Sequence, residues 1–145
     1  MKNDKELMNR AADNIRILAA SMVEKANSGH PGGAMGGADF VNVLFSEFLV
    51  YDPENPRWEG RDRFFLDPGH MSPIAVGAAI AAKFLKARLG DVMNQTIYAY
   101  ISDGGIQEEI SQGAGRLAGH LGLDNLIMFY DSNDIQLSTK TKDVI

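Results

Sequence analysis

Residues 96–131, TIYAYISDGGIQEEISQGAGRLAGHLGLDNLIMFYD, contain the signals that decide the fold class. The β-branched and aromatic run Thr96–Ile101 predicts a strand. The apolar run Asn125–Tyr130 predicts a second strand that is buried on both faces, as in a parallel sheet. Between them, a helix is predicted from about Ile106 to Leu121. Because a strand, a helix and a strand in this order form a βαβ unit, we predict an α/β fold with a mainly parallel sheet.

Helices are predicted on the N-terminal side of this unit. The first has Asn3 as its N-terminal cap and ends near Asn27. A glycine-rich loop, 28–33, then precedes a second helix, and Ser72 with Pro73 predicts the start of a third. The apolar stripe of the first helix consists of Leu7, Ala11, Ile15, Leu18, Met22 and Ala26.

The composition suits a single domain and excludes several classes of function. The 145 residues include no cysteine, so disulfides, thiolate metal sites and cysteine nucleophiles are ruled out. A net charge of −5 without a basic stripe argues against a nucleic-acid partner. No apolar run is long enough to span a membrane. The charged first residues do not resemble a signal peptide, which predicts a cytoplasmic location.

Oxygen ligands follow both predicted strands, at the sheet edge where α/β proteins bind their ligands. Asp103 supplies a carboxylate and Asn133 an amide oxygen, and such groups suit Mg²⁺ or Ca²⁺. Gly104 and Gly105, in a predicted loop before the helix, allow main-chain N–H groups to approach an anion. The combination predicts a diphosphate held through a divalent cation. The alternative is that Asp103 caps a helix and Asn133 forms a turn.

Two of the three histidines lie in loops that contain glycine and proline. His30 is part of SGHPGG and His70 is part of DPGHMSP. An imidazole can donate a hydrogen bond to a phosphate or a substrate hydroxyl, although an exposed loop histidine often has no such role. We assign His120, near a predicted helix C-terminus, a structural role. Glu108 lies in the first predicted helical turn, where acidic residues are favourable.

Several short motifs together resemble the N-terminal diphosphate-binding (PP) domain of transketolase, a thiamine-diphosphate enzyme. They are ANSGHPG at 26–32, RDRF at 61–64, PGH at 68–70, SDG at 102–104 and SN at 132–133. The resemblance covers nearly all residues in order. It implies a three-layer α/β/α thiamine-diphosphate-binding fold in which residues 1–145 form a single PP-type domain.

The resemblance also implies roles for residues around the cofactor. Asp103, the side-chain oxygen of Asn133 and the main-chain carbonyl of Ile135 look like the ligands of Mg²⁺ or Ca²⁺. Gly104, next to Gly105, looks like the main-chain contact to the diphosphate of thiamine diphosphate.

Further roles follow for residues outside that ligand set. His70 looks like a contact to the phosphate arm of the cofactor, and His30 looks like the histidine that faces the substrate. We treat both as candidate catalytic residues. Glu108 resembles a glutamate that in the family lies at the subunit interface.

Two departures from the family pattern bear on catalysis. Family members have a few dozen more residues between about Pro73 and Ala75, including a substrate-facing histidine and a loop that contacts the cofactor. The chain also lacks the pyrimidine-binding domain, whose glutamate activates the cofactor in the family. We therefore expect the chain on its own to be inactive.

The resemblance leaves more than one function open. The first is a transketolase-like subunit that acts with a separate pyrimidine-domain chain and transfers two-carbon ketol units between sugar phosphates, once a complete site forms. The second is a catalytically inactive thiamine-diphosphate-binding module that self-associates. The third is an unrelated Mg²⁺-dependent phosphate enzyme with Glu108 as its base. Because the family's PP domain is covered by partners, we expect at least a homodimer.

Overall fold

The computed structural model describes residues 3–67, 72–136 and 139–143. The chain divides into two compact units, Met1–Val50 and Tyr51–Ile145. The predicted α/β class and its parallel sheet are confirmed. The assignment of all 145 residues to a single PP-type domain stays a prediction. Among the residues described, no helix has both the length and the apolar character that crossing a membrane requires.

The first unit consists of helices. They are α1 (Lys5–Ala26), α2 (Pro31–Gly36), α3 (Ala38–Val43) and a π-helical turn at Leu44–Phe48 that continues α3. Helix α1 packs against α2 and α3 and buries Met8 and Ala12. The buried side chain of Asn42 donates from Nδ2 to the main-chain oxygen of Met8, at 2.9 Å. This bond satisfies a polar group that would otherwise be costly to bury.

The ends and the buried face of these helices differ from the prediction. The N-cap of α1 is Asp4 rather than Asn3, because the Asp4 carboxylate accepts a hydrogen bond from the Leu7 amide at 3.0 Å. Helix α2 begins inside the predicted loop, since proline is favoured at the first helical position. The predicted apolar stripe is largely exposed, with Leu18 at 62%. The predicted end of α1 is confirmed, with Asn27 in the left-handed conformation at φ 51°.

The second unit is built on a three-stranded parallel sheet. In spatial order the strands are β1 (Arg63–Asp67), β2 (Ile97–Ser102) and β3 (Leu126–Asp131). Buried Asp62 holds the start of this sheet together, because its Oδ1 accepts a hydrogen bond from the Thr96 amide at 2.7 Å. The aspartate of the RDRF motif thus has a structural role beside β1 and β2.

Helices and a short hairpin complete this unit. They are α4 (Ser72–Leu89), α5 (Asp103–Gln107), α6 (Glu109–His120), the antiparallel pair β4 (Ile135–Gln136) and β5 (Thr139–Lys140), and 3₁₀ turns at Asp91–Met93 and Thr141–Asp143. The core forms where Ala75 and Ala79 of α4 pack against Ile97 and Ala99 of β2. The small alanine side chains allow the helix to approach the sheet closely. The predicted start of α4 at Ser72 and Pro73 is confirmed, and Gly90 follows the helix at φ 80°.

Two expectations for this unit are wrong. The single helix predicted from Ile106 to Leu121 is divided into α5 and α6, because Glu108 between them has extended backbone at φ −61° and ψ 128°. Strand β3 is not buried on both faces, since Ile127 is 51% and Phe129 43% exposed. In the described sheet β3 pairs with β2 alone, so it is an edge strand.

Candidate functional site

The parallel register brings together the segments that follow β2 and β3, which contain the predicted ligands Asp103 and Asn133. Ser102, the last residue of β2, is paired with Asp131, the last residue of β3. Asp103 follows at once as the first residue of α5, and the loop that contains Asn133 follows β3. Ser102 has a φ of −107°, a value that any residue adopts, so the position before Asp103 does not require a glycine.

Asp103 is the central group of the site. It is only 3% exposed, although it is an acidic residue. Its Oδ2 accepts hydrogen bonds from the main-chain amides of Asn133, at 2.8 Å, and Asp134, at 2.5 Å. Its Oδ1 accepts a hydrogen bond from the hydroxyl of Tyr130. The side chain therefore fixes the loop after β3 against the start of α5.

These donors determine the charge of the site. The hydrogen bond from Tyr130 lowers the pKa of Asp103 below its usual value, and the amides of Asp134 and Asn133 act in the same direction against the effect of burial. The same bond raises the pKa of Tyr130. A buried carboxylate that stays ionised is the group that a bound cation requires.

A second hydrogen bond supports the loop from the neighbouring strand. The hydroxyl of Tyr100 donates to Oδ2 of Asp131 at 2.7 Å, and its ring stacks on Phe129 with centroids 5.4 Å apart. Burial, followed by the contact with Asp131, raises the pKa of Tyr100 far above its usual value. Tyr100 and Tyr130 were not predicted from the sequence. Tyr130 lies near Asp103 because the parallel register pairs it with Ile101, and this register is a property of the tertiary structure.

The hairpin after the loop brings the third predicted ligand into the same region. Asp134 has a left-handed backbone, with φ 61°, and its carbonyl accepts a hydrogen bond from the Thr141 amide at 3.0 Å. Ile135 of β4 is paired with Lys140 of β5, and α5 contacts β4. The main chain at Ile135 is thereby held next to the helix that starts at Asp103.

The chemistry of these donors fits a hard divalent cation. Within the described residues, no three His, Cys, Asp or Glu side chains cluster so as to hold a metal. The oxygen donors are instead the buried Asp103 carboxylate, the side chain of Asn133, which is exposed, and main-chain carbonyls. Oδ1 of Asp103 accepts a single hydrogen bond there, which leaves one of its lone pairs for a cation. Oxygen ligands with one carboxylate suit Mg²⁺ or Ca²⁺.

The glycines after Asp103 do not form the predicted loop. Gly104 and Gly105 belong to the first turn of α5, and Gly105 is buried. The first amides of a helix have no acceptor within the helix, so they are available to an anion or to water. The contact of Gly104 and Gly105 with a diphosphate therefore stays a prediction.

The other residues predicted from the sequence are His30, Glu108, His120 and His70. His30 belongs to the first unit, where it is the exposed N-cap residue of α2 and makes no side-chain cap bond. Glu108 is exposed between α5 and α6, and its main-chain oxygen accepts the Ser111 amide at 2.9 Å. His120 is the last residue of α6, as its structural assignment predicted. His70 lies outside the described residues.

A cavity of about 480 Å³ opens beside the loop after β3. Its lining includes Asn133, Asp134, Lys140 and Lys142. The two lysines are not among the site residues predicted from the sequence. The structure places them in the lining of the same cavity as Asn133, a predicted metal ligand.

Comparison with known proteins gives consistent results. The family model for the transketolase thiamine diphosphate binding domain matches residues 7–75 and 71–145. Transketolase-1, chloroplastic, from Arabidopsis thaliana is 33% identical over 196 aligned positions, which include 96% of this chain and 26% of the relative. Transketolase 1 from Escherichia coli (strain K12) is 34% identical over 94% of this chain and 28% of its own length.

Solved structures agree with these relatives. A histidine variant of transketolase from Pichia stipitis superposes with a TM-score of 0.88 at 26% identity, over 96% of this chain and 29% of that chain. A Pichia stipitis transketolase in complex with sedoheptulose 7-phosphate gives a TM-score of 0.81 at 26% identity, over 89% of this chain and 27% of that chain. The chain thus spans less than a third of the proteins that it matches.

The matches also locate the internal difference from the family. The two matches to the family model meet at residues 71–75. The alignment to the Arabidopsis relative is 196 positions long, more than the 145 residues of the chain. Both facts agree with the missing segment that the sequence predicts between Pro73 and Ala75.

Proposed function

The chain belongs to the transketolase family of thiamine diphosphate binding domains, and we propose that it binds the diphosphate of that cofactor through Mg²⁺ or Ca²⁺. The observation that carries this proposal is the geometry of Asp103. Its buried carboxylate is kept ionised by its donors and is tied to the loop that contains Asn133. A hard cation between this carboxylate and the diphosphate would neutralise both.

Each proposed ligand has a distinct part in holding the cation. Asp103 supplies the negative charge, and Asn133 and the main chain of Ile135 supply neutral oxygens. The hydroxyl of Tyr130 and the amides of the loop fix the orientation of the carboxylate, as outer contacts commonly do for metal ligands. When bound, thiamine diphosphate supplies the thiazolium on which ketol transfer takes place.

The proposed reaction is transfer of a two-carbon ketol unit between sugar phosphates. Support comes from the transketolase of Pichia stipitis that was solved with sedoheptulose 7-phosphate. His30 is proposed to face the substrate, since its exposed side chain makes no cap bond. His70 is proposed to contact the phosphate arm of the cofactor.

An assembly with a second chain is part of the proposal. Helix α6 exposes apolar side chains, with Ile110 at 58% and Leu117 at 47%. Exposed apolar patches mark interfaces in soluble proteins. We propose that a second copy or a separate pyrimidine-domain chain covers this surface, with Glu108 at the interface. Light scattering at tens of micromolar measures the mass, and a purely monomeric mass would reject the homodimer.

The alternative is a thiamine-diphosphate-binding module without turnover that self-associates. The two family-model matches that meet at residues 71–75 favour it, because the resemblance implies that a segment with a substrate-facing histidine is missing there. A coupled ketol-transfer assay with an added pyrimidine-domain chain distinguishes the two functions. Saturable turnover supports the enzyme subunit, whereas cofactor binding without turnover supports the module.

Calorimetric titration with thiamine diphosphate tests the binding itself. We expect binding with excess Mg²⁺ that becomes at least about tenfold weaker with a chelator, because the carboxylate of Asp103 and the diphosphate then repel each other. Thiamine without its diphosphate is the control and should not respond to Mg²⁺. Absence of binding in Mg²⁺ would refute the proposal, and equal affinity with and without Mg²⁺ would refute the role of the cation.

A further inference from the structure

We propose that Lys140 and Lys142 bind the terminal phosphate of the diphosphate, next to the cation. The inference rests on the proposed function and extends it to residues outside the metal ligand set. Its consequence is that the chain retains weak diphosphate binding when no divalent cation is present.

These lysines lie at the cavity beside the loop after β3. Lys140 and Lys142 line it together with Asn133 and Asp134. Its volume, about 480 Å³, is in the usual range of small-molecule sites. Because Asn133 is also a proposed ligand of the cation, a group bound in the cavity would lie beside that cation. A phosphate of the same diphosphate meets this condition.

The charge of the lining favours an anion. Two lysines and one aspartate give these residues a net charge of +1, in a chain whose net charge is −5. Within residues 3–67, 72–136 and 139–143, neither Lys140 nor Lys142 forms an ion pair. The lysine ammonium is a compact charge that commonly binds phosphate.

A second cavity in the same unit shows the contrasting arrangement. It has a volume of about 230 Å³, and its lining includes Lys83 and Lys86. There Lys83 pairs with Asp124 at 2.7 Å, and Nζ of Lys86 donates to Oδ1 of Asn94 at 2.7 Å. The charges of those lysines are matched by the protein, whereas Lys140 and Lys142 lack such partners in the part of the chain that the structure describes.

The hairpin fixes the lysines relative to Asp103. Lys140 is paired with Ile135, and the Thr141 amide donates to the Asp134 carbonyl at 3.0 Å. The amide of Asp134 in turn donates to Oδ2 of Asp103 at 2.5 Å. The main chain at the lysines is therefore tied to the carboxylate through one short series of hydrogen bonds. Such preorganisation reduces the entropy lost on binding.

The test is calorimetric titration of the chain with thiamine diphosphate and with inorganic pyrophosphate. Each titration is made in a chelator and in excess Mg²⁺. The variant carries Lys140→Gln and Lys142→Gln, and a second variant with arginine at both positions keeps the charge. The matched control carries Lys83→Gln and Lys86→Gln, at the other cavity.

In the chelator, we expect the double glutamine variant to bind both ligands about tenfold more weakly, because each exposed lysine contributes roughly threefold to the affinity. The arginine variant should retain most of the affinity, and the control should match the unmodified chain. The affinity of the glutamine variant should also depend less on salt, since fewer charge pairs are screened.

The outcomes separate this inference from the proposed function. If the unmodified chain fails to bind thiamine diphosphate in Mg²⁺, both are overturned. If it binds in Mg²⁺ but the glutamine variant equals it in the chelator, only the role of the lysines is overturned. If the glutamine substitutions change the affinity for thiamine diphosphate and leave that for pyrophosphate unchanged, the lysines do not bind the terminal phosphate and this inference is also overturned.

Discussion

Asp103→Asn removes the charge at the centre of the site while keeping the shape of the side chain. Oδ2 of Asp103 accepts hydrogen bonds from the amides of Asn133 and Asp134, and the amide oxygen of an asparagine can accept both. Its NH₂ group would then face the hydroxyl of Tyr130, whose oxygen can accept a hydrogen bond. We therefore expect the variant to fold normally and to lose its interaction with the cation.

The expected effect on cofactor binding is large. Asp103 is the only charged group in the proposed ligand set, and even the loss of an outer contact to a metal ligand costs about 10- to 100-fold in affinity. We expect Kd for thiamine diphosphate in Mg²⁺ to rise about 100-fold. A ligand at 100 times the original Kd adds about 2.7 kcal/mol to the free energy of unfolding of the unmodified chain, but about 0.4 kcal/mol after such a rise.

Thermal unfolding with and without thiamine diphosphate plus Mg²⁺ measures this difference. For a domain of this size, the shift in Tm should be about 10 °C for the unmodified chain and about 1 to 2 °C for Asp103→Asn. Asp124→Asn is the matched control, because Asp124 is an exposed acid of the same unit that pairs with Lys83 at 2.7 Å. The control should show the full shift. A full shift in Asp103→Asn as well would refute the reasoning.

Three further outcomes are expected. Asn133→Ala removes an exposed side chain whose hydrogen bond to Asp131 is 3.5 Å long, so it should lower Tm without ligand only slightly and raise Kd for thiamine diphosphate in Mg²⁺ about tenfold by calorimetry. Because the pKa of Tyr100 is raised above its usual 10.0, the stability that it contributes is present below that pH and is lost as pH rises through the folded pKa. An alkaline absorbance titration should therefore show a late-ionising tyrosine that Tyr100→Phe lacks, and an unchanged titration would contradict this. Ile97→Ala, at a fully buried side chain, should lower the free energy of unfolding by about 2–4 kcal/mol in urea, whereas half-exposed Ile127→Ala should cost less than half as much.

The α/β class follows from local patterns in the sequence. The alternation of strand-like runs with a helical segment between residues 96 and 131 is enough to predict a parallel sheet, and β2 and β3 confirm it. Local chemistry also determines the start of α4 at Ser72 and its end before Gly90. These signals are independent of distant contacts, because capping and glycine conformation depend on adjacent residues.

The general position of the site is also readable from the sequence. Adjacent parallel strands end at the same sheet edge, so Asp103 and the loop with Asn133 had to lie close together. The structure gives the distance between them, since Oδ2 of Asp103 lies 2.8 Å from the Asn133 amide nitrogen.

Only the tertiary structure decides which apolar runs are buried. The same continuous apolar run can form either a central strand or an edge strand. The position of β3 at the edge of the described sheet, which leaves Phe129 half exposed, depends on which strands pair. The break at Glu108 likewise interrupts a helical pattern that the sequence presents as continuous.

Tertiary structure also decides the partners of individual side chains. The hydroxyl of Tyr130 reaches Asp103 because the register pairs Ile101 with Tyr130, residues that are far apart in the sequence. Lys140 and Lys142 line a cavity with Asn133 because the β4–β5 hairpin folds back on the loop after β3. Periodicity specifies the face of a single element, whereas these contacts depend on the register between elements, which long-range packing determines.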